Sequence, residues 1–379
     1  MSYNNLDITN VVDVQVAQPP AGLSNYHVNN LLILTKDVPV NVAITQTSPG
    51  VYLDPISVGV DFGNTSETYK IANAIFEQEP NILDGDGSLI IFPMGSGDTL
   101  DAAFALAVPL MFFGGVIWAG YSPDPTEITD LVNAAQAARR LVGVSSSQLT
   151  DLDGGSLFAN IAALNTHCAR MFIYSVGAVE SRIAMGAYMS RLMSTNFAQS
   201  ASTSTMQMKD LIGIAPDPLI SQSVLTSAAT LGVDCYATIA GLPKVFSSGA
   251  NDFSDNVYNQ NAFVFDLEVA LFNALATTSN KIPQTEPGIA ILKDAIKLIC
   301  EKYVTNGFIA PGSWNSSTTI GIPAVMRRNI LDVGYYIFSE PVNKQSQADR
   351  AERKAPPLSV AIKYAGAVHS VNCVVNVNP

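Results

Sequence analysis

Residues 88–120 read SLIIFPMGSGDTLDAAFALAVPLMFFGGVIWAG. The stretch 102–120 inside it carries no charge and is long enough to cross a membrane. Pro109 and Gly114-Gly115 divide it, however, and Asp98, Asp101 and Asp124 flank it with no Lys or Arg nearby to orient a span. SLIIF (88–92) is instead a short apolar run that predicts a strand. Residues 99–108 predict a buried helix, and 112–118 a second buried strand.

Working outward, the same alternation continues on both sides. Ser66 opens a helix through Phe76. Asp124-Pro125 with Glu127 begins a helix to about Leu141, with Arg139 and Arg140 in its last turn. Helices near 156–165, 178–193 and 221–231 alternate with apolar runs at 170–176 and 233–241. Helix–strand alternation from about 64 to 245 implies an α/β layer with helices packed on a sheet. Ahead of it, NLLILT and ISVGV within 30–60 predict two strands, separated by a turn at Ser48-Pro49-Gly50. The polar stretch SSGANDFSDN (247–256) marks a boundary.

Beyond it the pattern is α+β. Residues 262–276 are helical, with Phe265, Leu267, Leu271, Phe272 and Leu275 at near-helical spacing. Thr285-Glu286-Pro287 starts a helix that Gly307 ends. DVGYYIFSE (332–340) and PLSVAIKY (357–364) predict strands around a short charged helix, QADRAERKA (347–355). Both extremes of the chain alternate with period two. Val12, Val14 and Val16 share one face of a strand at one end. Val371, Cys373, Val375 and Val377 share one face at the other. Open edges at such ends invite pairing with another chain, or the two termini pair inside one subunit.

With 379 residues, two domains are expected. Charged residues make up only 14 % and hydrophobic ones 48 %, against about 25 % charged in an ordinary soluble domain. That suits either a subunit covering much of its surface against others or a monomer with a Ser/Thr/Asn-rich exterior. A net charge of −12 argues against a nucleic-acid surface. The N-terminus lacks the pattern of a signal peptide. Cys168, Cys235, Cys300 and Cys373 show no zinc spacing, and each lies in an apolar run that suits a buried free thiol.

Nothing in the sequence assembles a catalytic motif. His27, His167 and His369 lack partners, and the adjacent His167-Cys168 cannot form a nucleophile–base pair by themselves. Asp84-Gly85-Asp86-Gly87 lacks the twelfth-position Glu of a calcium loop and reads as a turn. Gly95-Ser96-Gly97 lacks the Lys-Ser/Thr ending of a phosphate loop. Charge organises once: seven basic residues against four acidic ones between Arg327 and Lys363. That is either a solvated helix with i,i+3 and i,i+4 pairs or a basic face for an acidic partner.

Four segments in the last third carry a family likeness: KIPQTEPG (281–288), NGFIAPG (306–312), ADRAERKAP (348–356) and AGAVHSV (365–371). In this order they resemble the contractile tail sheath proteins of long-tailed, myovirus-type bacteriophages, in their compact branch. VDFGNTSETYKIANAIFEQ (60–78) is similar at lower specificity.

The resemblance implies a two-domain architecture, α/β and α+β. Residues 1–20 would form an N-terminal strand arm and 21–246 an outer α/β domain whose start packs with the inner one. Residues 257–366 would form the inner domain, and 367–379 a C-terminal strand arm. The arms would augment the sheets of neighbouring subunits, burying Val12, Val14, Val16, Val371, Cys373, Val375 and Val377 against other copies. The subunits would build a helical tube of hexameric rings around an inner tail tube protein, bounded by baseplate and tail terminator proteins. Arg350, Arg353 and Lys354 would face the tube. The implied role is structural, in the virion, with no catalysis, cofactor, metal, nucleic acid or membrane. Another tail or baseplate structural protein is the alternative reading, and a cytosolic α/β small-molecule enzyme a third.

Overall fold

The computed structural model describes residues 27–250, 252–371 and 373. Eight strands form one sheet: β1 (Leu31–Thr35), β2 (Gly50–Tyr52), β3 (Leu89–Pro93), β4 (Gly115–Ala119), β5 (Leu141–Ser146), β6 (Ala169–Ile173), β7 (Val233–Ile239) and β8 (Leu242–Phe246). Their spatial order is β2-β3-β1-β4-β5-β6-β7-β8. The strands from β3 to β7 in that order run parallel, and β2 and β8 close the edges antiparallel. Seven helices connect them: α1 (Pro55–Phe62), α2 (Glu67–Phe76), α3 (Leu100–Ala107), α4 (Pro125–Ala138), α5 (Leu157–Ala163), α6 (Ala178–Leu192) and α7 (Gln222–Leu231).

The internal strands are apolar at nearly every position because both faces are covered. All five residues of β1, β3 and β4 are buried. Alternate side chains then feed two cores. Leu31 and Ile33 join the core beneath α1, α2 and α6. Leu32 and Leu34 join the one beneath α3, α4, α5 and α7. The uncharged stretch 102–120 is thus a helix end, a turn and a central strand. No helix among the described residues is long and apolar enough to cross a membrane.

Three local expectations change. ISVGV is helical, not a strand: the Asp54 carboxylate accepts from the Ser57 N–H at 2.9 Å, and Pro55 fills the first turn of α1. The helix begun at Pro125 stops at Ala138, where Arg139 turns left-handed at φ +55°. Arg140 then leads into β5, its guanidinium 4.3 Å from the Phe112 ring centroid and 4.7 Å from that of Phe265. Finally, β7 returns through Ala240 and Gly241, both at positive φ, into the edge strand β8.

The C-terminal part adds α8 (Ser254–Thr277), α9 (Glu286–Thr305), α10 (Pro323–Val333), α11 (Gln347–Ala351) and an antiparallel ribbon of β9 (Tyr335–Ser339) and β10 (Leu358–Ile362). It is not a separate globule beside the sheet. The first half of α8 puts Val257, Tyr258, Ala262, Phe263 and Phe265 into the core that α6 shares. Tyr303 of α9 is fully buried there, with ring centroids of Phe263 at 5.1 Å, Phe197 at 5.5 Å and Phe308 at 6.0 Å. Its hydroxyl donates to Asp266 at 3.0 Å, and Lys302 binds the same carboxylate at 2.7 Å.

Removing that ring opens a large cavity, so Tyr303→Ala is expected to cost ~3–5 kcal/mol. Tyr303→Phe loses one hydrogen bond and is expected to cost only ~1 kcal/mol, because Lys302 still satisfies Asp266. Urea unfolding of both variants measures the difference.

Candidate assembly surface

The ribbon is built from a forced turn. α10 ends at Gly334, at φ +88°, and a Cβ there would lie 2.8 Å from the Ala310 carbonyl carbon. Only glycine meets both constraints. The chain enters β9 at once, and the register pairs Tyr335 with Ile362, Ile337 with Val360, and Ser339 with Leu358. Period two divides the ribbon's faces. Tyr335, Ile337, Leu358, Val360 and Ile362 pack on the main core. Tyr336 and Ala361 pack against Met326 and Ile330 of α10.

Among the described residues no strand covers either outer edge of the ribbon. Beyond their mutual ladder, Tyr335–Ser339 and Leu358–Ile362 make no backbone–backbone hydrogen bonds among the described residues. Outward-pointing N–H and C=O groups there offer a template on both sides. One end is pinned: the Ala310 N–H donates to the Lys363 carbonyl at 3.0 Å, and the Ala365 N–H to that of Phe308 at 2.8 Å. Tyr364 stacks on Phe308 at 4.8 Å and donates to Gln260 at 2.9 Å. Burial, with Asp252 adding to it, pushes its phenol up to about 12.

The tail then crosses the start of α8. His369 lies edge-on to Phe253 at 4.4 Å, and its Nε2 is 2.9 Å from the Thr205 hydroxyl. Past that contact Val371 and Cys373 are exposed, outside any strand of their own chain. Val12, Val14, Val16, Val375 and Val377 lie outside the described residues.

The basic trio sits at α11. The Ser346 hydroxyl caps this helix by accepting from the Asp349 N–H at 3.1 Å. Arg350 and Arg353 are exposed, and neither makes an ion pair among the described residues. Arg353 is left-handed at φ +58°. Lys354 pairs with Glu352. Its carbonyl accepts from the Gln284 amide at 2.8 Å and the Gln345 amide at 2.7 Å, which ties the turn to the start of α9. The fold therefore presents two uncompensated cations and one partly neutralised one on a fixed turn. Sequence reasoning missed α10, which packs against the ribbon, although Pro323 at its start and Gly334 at its end were readable signals.

Elsewhere the chemistry is sparse. No group of three or more His, Cys, Asp or Glu among the described residues could hold a metal. His167 is exposed, whereas burial pushes the neighbouring Cys168 thiol up to about 11, and that thiol donates to the Val132 carbonyl. Asp84 closes a capping box with Asn81 in the 82–85 turn. A cleft of about 700 Å³ lies beside His27 and Arg140, where Leu53, Val108 and Met111 meet Asn30, Asp86 and Ser88.

Residues 254–377 match the family described as "E217 tail sheath protein gp31-like, C-terminal domain". The matched segment begins at the first residue of α8 and includes the ribbon, the basic turn and the root of the tail. It covers about a third of the chain; the sheet and the 60–78 likeness lie outside it. A search of the curated proteins gives no match. The family match supports a phage tail sheath protein, a structural and oligomeric component of a virion tail.

Exposed charges far from the core contribute little to folding. Reversing Arg350, Arg353 and Lys354 to Glu is expected to move the stability of the isolated subunit by no more than ~1 kcal/mol, read by chemical denaturation.

Proposed function

We propose that this chain is the non-catalytic building block of a contractile tail sheath, polymerising helically around an inner tail tube and contracting to deliver the genome. The observation that carries this reading is a two-stranded ribbon whose edges have no partner strand among the described residues, inside the segment that matches a tail sheath C-terminal domain.

A two-stranded sheet is marginal alone and gains from added strands. In this reading the arms, residues 1–20 and 367–379, supply them to neighbouring copies, with Val12, Val14, Val16, Val371, Cys373, Val375 and Val377 as the apolar faces. The tail's own root supports this. Among the described residues His369 holds it to the body, and Val371 beyond it is 85 % exposed. A head-to-tail contact that does not close generates a helix of subunits.

Arg350, Arg353 and Lys354 face the tube. Exposed pairs of this kind are weak and screened by salt, so the sheath can slip along its partner during contraction. The energy for that movement resides in subunit packing, and baseplate and terminator proteins bound the two ends.

Expression of the chain alone, viewed by negative-stain microscopy, is expected to give long hollow tubes. Discrete rings would favour another tail or baseplate component, and monodisperse monomers would overturn the assembly reading. Deleting residues 1–18 or 367–379 should leave folded subunits that no longer polymerise; global unfolding would place those segments in their own subunit's core. Glu at positions 350, 353 and 354 should abolish co-assembly with the tube while leaving sheath-only polymers intact.

A further inference from the structure

A ledge of apolar side chains lies along the β2 edge of the sheet. Val38, Val40, Val42, Leu53, Ile56 and Val60 are between 62 % and 90 % exposed. They form one surface. The Val40 N–H donates to the Asp61 carbonyl at 2.7 Å and the Asn41 amide to its carboxylate at 2.9 Å, which lays 38–42 along the last turn of α1. Ile56 and Val60 are one helical turn apart on the outer side of α1, while Val58 and Phe62 face the core. Leu53 adjoins the cap residue Asp54.

Each such side chain presents ~100 Å² when fully exposed, so the ledge leaves roughly 450 Å² of apolar surface. That is near the upper end for a monomer and about half of the ~800 Å² that a standard interface takes from each partner. Its rim is acidic: residues 37–66 contain Asp37, Asp54 and Asp61 and no Lys or Arg. Two ledges face to face would set like charges together, which disfavours a two-fold contact.

A complementary surface exists on the other part of the same molecule. On α10, Met326 and Ile330 are buried, and the outward stripe consists of Val325, Arg328 and Leu331, three residues apart, with Arg327 beside it. Val325 and Leu331 are both exposed, and Arg327 makes no ion pair among the described residues. Arg328 between them pairs with the exposed Asp332 at 3.7 Å, which leaves Arg327 as the uncompensated cation of this face. The α10 face is thus apolar with a net basic charge, and the ledge is apolar with an acidic rim.

We infer that the ledge of one copy seats on the α10 stripe of the next, a head-to-tail contact separate from the terminal strands. The inference rests on the self-assembly reading and names a surface for it. Because the two faces differ, the contact is heterologous and propagates instead of closing as a dimer.

The test uses full-length chain with Cys373→Ser, which leaves three buried cysteines. Assemblies mixed from Ile56→Cys and Val325→Cys chains are treated with a short bis-maleimide. Covalent dimers from the mixture, and none from either variant alone, are expected. Assembled tubes without these crosslinks overturn the contact, the result an N-terminal segment covering the ledge would give. Separately, Ile56→Glu with Val60→Glu should raise the concentration needed for polymerisation at least tenfold, and Val325→Lys should restore part of it. Both ledge positions are exposed, so the double variant should melt within a few degrees of the parent; a folded variant that polymerises normally overturns the inference. If the unaltered chain stays monomeric, the assembly reading and this contact fall together; if it polymerises and the variant does too, only the contact falls.

Discussion

Tyr303 holds the two parts of this chain together. Its ring lies among Phe197, which follows α6, Phe263 of α8, and Phe308, which follows α9. Phe308 in turn stacks on Tyr364 at the end of β10. A continuous series of ring contacts thus runs from the sheet's helical layer to the ribbon. Aromatic pairs of this kind add ~0.5–1.5 kcal/mol each beyond the area they bury. The buried phenol is also held far above its ordinary range, first by desolvation and then by Asp266, so it stays neutral across any physiological pH. The ribbon's orientation relative to the sheet is therefore set by packing that neither salt nor moderate pH disturbs.

This rigidity contrasts with the surface that the ribbon presents. Its inner face is fixed on the main core, its other face leans on α10, and its edges carry backbone groups with no backbone partner among the described residues. Rigid support with open edges makes a good receptor for an incoming strand, because the receptor loses little freedom on binding. The basic turn at 350–354 is supported in the same manner, through two glutamine amides on the Lys354 carbonyl.

The sheet was legible wherever both faces were covered. LLILT, LIIF and RMFI are apolar regardless of register, so their period could not mislead. ISVGV misled because a short apolar helix and a strand look alike over five residues, and only the Asp54-Pro55 start distinguishes them. β5 was hidden because Arg139 turns left-handed without glycine, so no punctuation separates helix from strand. At the candidate site, the charge of the trio and the two ribbon strands were readable. The open edges were not, since edge status depends on what fails to pair, and pattern records only what faces inward. The apolar ledge was equally invisible: nothing in the alternation of Val38, Val40 and Val42 says that the fold leaves them outside.

One property of the ribbon has a consequence for any polymer built through it. Its two free edges belong to different strands, β9 on one side and β10 on the other, and their side chains differ. A row of copies joined across these edges has an intrinsic polarity. Its two extremities expose chemically distinct vacancies, so a cap that fits one cannot fit the other. Growth and termination at the two ends are then separate recognition problems, each answerable by a different molecule.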